Sequence, residues 1–92
     1  MSIVSKELII VNELGLHARS AASISKIAQK AASNVWIVKD GNKVDASSVV
    51  NILTLACEKG AKITIEIDDP ADTHILRNIQ KLIENGFGED VN

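Results

Sequence analysis

Aromatic side chains are nearly absent from this chain of 92 residues, which has one tryptophan, one phenylalanine and no tyrosine. A core must therefore be built from Ile, Leu, Val and Ala. Cysteine occurs once, as Cys57, so no internal disulfide can form. Only two histidines are present, and no second His, Cys or carboxylate cluster accompanies either, which disfavours a metal centre or a hydrolytic site. An excess of one charge is missing too: 10 Lys and Arg stand against 12 Asp and Glu, for a net charge of -2. That balance lacks the basic footprint of a nucleic-acid partner. No apolar run is long enough to cross a bilayer, and the first residues lack a signal-peptide core with a cleavage site. Together these absences predict a cytoplasmic monomer with no membrane insertion, no metal and no cofactor. The length fits one small domain, residues 1–92.

What is present is a regular alternation of short elements. Lys6 to Val11 reads as a strand, with Leu8 and Ile10 on one face and Ile9 and Val11 on the other. From Ala18 to about Ala32 the spacing is helical, with Ala21, Ile24, Ala28 and Ala31 in one stripe. Val35 to Lys39 is a second strand, and Asp40-Gly41 is a hairpin signal leading to a third, Lys43 to Asp45. Ser47 or Ser48 can cap a short helix running to about Glu58, with Val49, Ile52, Leu53 and Ala56 as its stripe. Lys62 to Ile67 alternates strictly, placing Ile63, Ile65 and Ile67 on one face. Asp68 and Asp69 then serve as cap and dipole partners for a last helix with Pro70 in its first turn. Ile75, Leu76, Ile79, Leu82 and Ile83 form its stripe, and Gly86 closes it.

The order βαββαβα implies an α+β fold, an open-faced β-sandwich. Three helices cover one face of a four-stranded, mainly antiparallel sheet. Ile9, Val11, Trp36, Val38, Thr64 and Glu66 would line the other face. Trp36 is read there as a partly exposed sheet residue, with a self-association surface as the alternative.

The segment Gly15-Leu16-His17-Ala18-Arg19 places a histidine where a strand gives way to a helix. Free N–H groups and the positive end of the helix dipole attract phosphate at such a point. A neutral imidazole there is a candidate phosphoryl acceptor, with Arg19 as a bidentate counter-ion. A short helix cannot bury all of Val49, Val50, Ile52, Leu53 and Leu55 on one side, so an apolar patch should remain exposed near it. His74, early in the last helix, reads as a solvated surface residue, and Cys57 as a small apolar core residue.

Three blocks carry a resemblance to a known family: Gly15 to Arg19, Asp45-Ala46-Ser47-Ser48-Val49-Val50, and Glu58-Lys59-Gly60-Ala61-Lys62-Ile63-Thr64-Ile65. Over about Lys6 to Gly88 the chain resembles the HPr family, the histidine-containing phosphocarriers of the bacterial phosphotransferase system. The element order is the family's as well. The resemblance implies a single HPr-like domain that performs no turnover of its own. It would take a phosphoryl group on Nδ1 of His17 from enzyme I, charged by phosphoenolpyruvate, and pass it to an enzyme IIA for sugar transport, with Arg19 stabilising the phosphate.

The resemblance also implies that Ser48 is a regulatory phosphorylation site for an HPr kinase/phosphorylase. Val49, Val50 and Leu53 would dock enzyme I and the enzyme IIA partners, with Lys26, Lys30 and Asn51 at the rim. The nitrogen-related branch of the system shares the fold and chemistry and is the alternative. A purely regulatory docking module is a further one, although relatives specialised that way lack the histidine. The family usually has proline after the arginine, where this chain has Ser20, so a looser helix start is expected. The chain also lacks the basic residue that some relatives carry at the position of Ser47.

Overall fold

Strict alternation and helical spacing both produce the expected elements in the computed structural model, which describes residues 4–89. The strands are β1 (Val4–Ile9), β2 (Val35–Lys39), β3 (Asn42–Asp45) and β4 (Lys62–Ile67). The helices are α1 (Ala18–Ala28), α2 (Val49–Leu53) and α3 (Thr73–Glu84), with short 3-10 turns at Pro70–Asp72 and Gly86–Gly88. The sheet order is β1-β4-β2-β3, and every neighbouring pair is antiparallel. Register puts Leu8 opposite Ile63, Ile37 opposite Ile65 and Val35 opposite Ile67. These residues are buried under Ile24, Ile52, Ile75, Ile79 and Ile83 of the three helices. The result is the two-layer α+β sandwich with one open sheet face.

The open face is organised around Trp36. Its indole N–H donates to Asp68 at 3.0 Å, and Lys43 lies over the ring, 5.1 Å from its centre. Lys43 also pairs with Glu66 at 3.0 Å. Trp36 is thus the partly exposed sheet residue expected of it, with its polar edge satisfied. Asp68 is a partner of the indole and not a helix cap. Asp69 does cap, accepting from the N–H of Ala71 at 2.9 Å.

Several boundaries differ from the sequence expectation: β1 and β3 start earlier, at Val4 and Asn42, and the ends of β1, α1 and α2 are set by tertiary contacts. β1 stops at Ile9, where the regular ladder with β4 ends at Lys62 and Ile10 bonds instead to Gly60 and Ala61 of the turn before β4. α1 ends at Ala28 and does not reach Ala32, since the buried carboxylate of Asp72 takes the N–H groups of Ala32 and Ser33 at 2.8 and 2.9 Å. α2 ends at Leu53 and does not reach Glu58. There the ammonium of Lys39 takes the carbonyls of Leu55 and Ala56, at 2.9 and 3.2 Å, and Ala56 turns left-handed. Consequently Leu55, not Leu53 or Ala56, is buried beside Ile52. α3 begins at Thr73, after a 3-10 turn holding Pro70.

The hairpin matches its signal: Asp40 and Gly41 both have positive φ, 51° and 81°, as a type I′ turn requires.

Candidate functional site

The site is assembled where the chain leaves β1 for α1. Ile10 ties this segment to the turn before β4, donating to Ala61 at 2.9 Å and accepting from Gly60 at 2.7 Å. Asn12 and Gly15 then close a turn, with the Gly15 N–H on the Asn12 carbonyl at 3.1 Å and Gly15 at φ +64°. The Leu16 N–H donates to the Cys57 carbonyl at 2.9 Å. The backbone on the N-terminal side of His17 is therefore pinned from two directions.

His17 is itself the N-cap of α1, in an extended conformation. Its Nδ1 accepts from the backbone N–H of Arg19 at 3.3 Å. Ser20 returns the bond: its hydroxyl oxygen accepts from the His17 N–H at 2.9 Å, completing a capping box. The hydroxyl proton faces the carbonyls of Gly15 and His17, at 3.2 and 3.1 Å. Ser20 is buried. The looseness expected from the missing proline is thus offset by a different constraint, a hydroxyl tied to the residues on both sides of the cap.

The other ring nitrogen has a partner as well. Nε2 of His17 lies 2.7 Å from Oε2 of Glu89, and the two side chains are 26% and 19% exposed. Oε1 of Glu89 accepts from the side-chain amide of Asn12 at 3.0 Å. That same amide nitrogen donates to the Gly15 carbonyl at 2.9 Å. Asn12 is fully buried, and its Oδ1 has no partner among the described residues. The Asn12 amide above all, then the His17 ring and the positive charge of Arg19, hold the Glu89 carboxyl below the usual carboxylate range.

The Arg19 side chain is exposed at the second position of α1 and makes no ion pair among the described residues. A helix start with a partly exposed imidazole, a guanidinium charge outside any ion pair among these residues and backbone donors can hold a phosphoryl group attached to Nδ1.

Of the other predicted residues, Ser48 is the N-cap of α2, accepting from the Asn51 N–H at 3.2 Å. Val50 is 71% exposed and Leu53 39%, whereas Val49 packs partly against the core. α1 and α2 are in contact. Lys26, Lys30 and Asn51 are exposed on those two helices and the turn after α1. Cys57 is buried, and burial pushes its thiol up. His74 is exposed. No group of three potential metal ligands occurs among the described residues.

Sequence reasoning missed Asn12 and Glu89. For Asn12 a signal exists, since an Asn three residues before a glycine is a turn signal. Glu89 had one indirect signal. Gly86-Phe87-Gly88 is a tripeptide able to reverse the chain after a helix.

Comparison with known proteins places these residues in context. The family model described as "PTS HPr component phosphorylation site" matches residues 4–85. The phosphocarrier protein HPr of Cupriavidus necator is 34% identical over 87 residues, covering 95% of this chain and 98% of that protein. The phosphocarrier protein NPr of Escherichia coli K12 is 33% identical over 88 residues, covering 95% and 98%. A crystal structure of HPr-C-His from Thermoanaerobacter tengcongensis superimposes with a TM-score of 0.84 at 34% identity, covering 99% of this chain and all of that one. Glu89 lies beyond the residues the family model matches.

Proposed function

This chain belongs to the HPr family of phosphotransferase-system phosphocarriers, and on that premise we propose that His17 is its phosphoryl acceptor. In this reading Nδ1 takes the group from phosphorylated enzyme I and gives it to an enzyme IIA of the sugar phosphotransferase system. The observation that carries the reading is the placement of Nδ1 at the first turn of α1, facing the Arg19 N–H. A phosphate bonded to Nδ1 would offer its oxygens to that donor, to the dipole of an 11-residue helix and to the Arg19 guanidinium. Incubation with enzyme I and phosphoenolpyruvate should give an acid-labile label that His17→Ala loses while keeping its fold. Labelling that persists in His17→Ala would contradict the reading.

Val50 and Leu53 form the apolar part of the docking surface in this proposal, supported by their exposure on the helix in contact with α1. Val49 contributes less, being partly turned into the core. Lys26, Lys30 and Asn51 rim the surface. Ser48 is a regulatory position for an HPr kinase, where a phosphate would add negative charge beside the docking patch. Absence of phosphate on Ser48 after treatment with such a kinase and ATP would remove that part. The protein works in this scheme as a cytoplasmic monomer. No helix among the described residues is long and apolar enough to cross a membrane.

The similarity to NPr supports a second reading, in which the acceptor belongs to the nitrogen-related branch. Transfer from the phosphorylated protein to sugar-type and nitrogen-type enzyme IIA domains, compared side by side, separates the two.

A further inference from the structure

We propose that Glu89 and Asn12 are positioning residues that keep the ring proton of His17 on Nε2 throughout phosphoryl transfer, leaving Nδ1 as the sole nucleophile. The inference rests on phosphoryl acceptance at His17, as proposed above, and adds how the ring is prepared for it.

The hydrogen bonds form one directed chain. Gly15 supplies only a carbonyl to the Asn12 side chain, so the group of Asn12 that faces it, at 2.9 Å, must be the NH2. The second N–H of that same nitrogen then points to Oε1 of Glu89 at 3.0 Å. A carboxylate accepts and does not donate, so Oε2, 2.7 Å from the ring, requires a proton on Nε2 of His17. At the opposite side of the ring the Arg19 N–H donates to Nδ1 at 3.3 Å, which requires a lone pair there. Both neighbours thus select the same tautomer. Among the described residues, the titratable or charged groups acting on Glu89 are the His17 ring and Arg19.

The tail is shaped to deliver this carboxylate. α3 ends at Glu84, and Gly86, Phe87 and Gly88 follow with φ of 61°, 59° and 73°. Three consecutive left-handed residues turn the chain back, the Glu89 N–H closes on the Gly86 carbonyl at 2.9 Å, and Phe87 packs against the core. A non-glycine residue held in that conformation marks a turn fixed by its surroundings.

The chemistry balances without a proton leaving or arriving. The Nδ1 lone pair attacks the phosphorus, the N–P bond to the ring forms, and the bond from phosphorus to the donor atom of enzyme I breaks, its electron pair staying with the donor. The His17 ring becomes an imidazolium bearing phosphate on Nδ1 and hydrogen on Nε2, with its positive charge against Glu89. In the onward step the N–P bond breaks, and its electrons return to Nδ1 to restore the neutral ring with its proton still on Nε2. A carboxylate in this position stabilises the charge that develops on the ring, as the orienting aspartate of a Ser-His-Asp triad does.

The test is the ring tautomer and the rate of acceptance measured together. In protein labelled with nitrogen-15 in histidine, two-bond proton–nitrogen spectra at alkaline pH should show His17 with a protonated Nε2 and a bare Nδ1. In Glu89→Gln, the fixed Asn12 amide demands the Gln oxygen, so the Gln NH2 faces Nε2 and the ring should switch to the Nδ1-protonated form. Glu89→Ala removes the orienting group without imposing the wrong tautomer. Acceptance from phosphorylated enzyme I should therefore fall about tenfold in Glu89→Ala and roughly a hundredfold or more in Glu89→Gln, by comparison with other histidine-orienting carboxylates. A merely structural role predicts the reverse order, because Gln preserves size and Ala does not. A Glu89→Gln protein with the Nε2-protonated ring and wild-type acceptance would overturn the positioning role. Wild-type protein that takes no phosphoryl group on His17 would instead overturn the reading beneath it.

Discussion

Gly15 lies against the carbonyl of Cys57 so closely that a Cβ at this position would come within 2.3 Å of the oxygen. The same carbonyl accepts the Leu16 N–H at 2.9 Å. One backbone oxygen therefore fixes both the approach of the Gly15–Leu16 segment and the orientation in which His17 follows. Glycine is required twice over, by the space and by its φ of +64°. Gly15→Ala should destabilise the fold by roughly 3 kcal/mol, from overpacking against rigid backbone and a left-handed alanine together. Urea unfolding measures this, and the variant should also accept phosphoryl groups more slowly, because the cap of α1 moves with the loop.

Ala56 presents the opposite case, a left-handed residue that is not glycine. Its φ is 51°, it is exposed, and it ends the turn that follows α2. Ala56→Gly should stabilise the protein by about 0.5–1 kcal/mol, since relief of the left-handed strain exceeds the entropy a glycine adds to the unfolded chain. A rise in Tm with unchanged phosphoryl acceptance is the expected result.

The Glu89 carboxyl is held below its ordinary range by Asn12 first and His17 next. The unfolded chain therefore binds a proton at this residue before the folded protein does, on descending in pH. The contribution of Glu89 to stability is complete above the ordinary carboxylate range and disappears as pH falls through that range to the lowered folded value. Carbon-13 titration of the Glu89 carboxyl should show a midpoint below that of the denatured protein. The stability difference between wild type and Glu89→Gln should shrink in the same acid window.

Local pattern made much of this fold legible. β4 follows from strict alternation, the hairpin from Asp40-Gly41, and the start of α2 from a capping serine, Ser47 or Ser48, which the fold resolves to Ser48. Each is decided within a few residues. The ends of α1 and α2 were illegible because distant side chains decide them. Asp72 captures the N–H groups of Ala32 and Ser33, about 40 positions away, and Lys39 captures the carbonyls of Leu55 and Ala56. Helical spacing continues in the sequence past both points, so periodicity alone runs on. The candidate site divides in the same way. His17 and Arg19 stand in one short segment, whereas Glu89 reaches the ring from 72 positions later. Only the three-dimensional turn at Gly86–Gly88 brings it there. Ser20 looked like a weakened helix start, because its value lies in hydrogen bonds to Gly15 and His17 that composition does not reveal.

Phosphoryl transfer through this protein should run through a single atom, Nδ1 of His17. Phosphorus-31 spectra of the protein after phosphorylation by enzyme I and phosphoenolpyruvate, with nitrogen-15 coupling in labelled histidine, identify the atom that carries phosphate. One phosphohistidine signal coupled to Nδ1 of His17 is expected, with hydrogen retained on Nε2. A phosphoryl group on Nε2, on His74 or on a serine would contradict it.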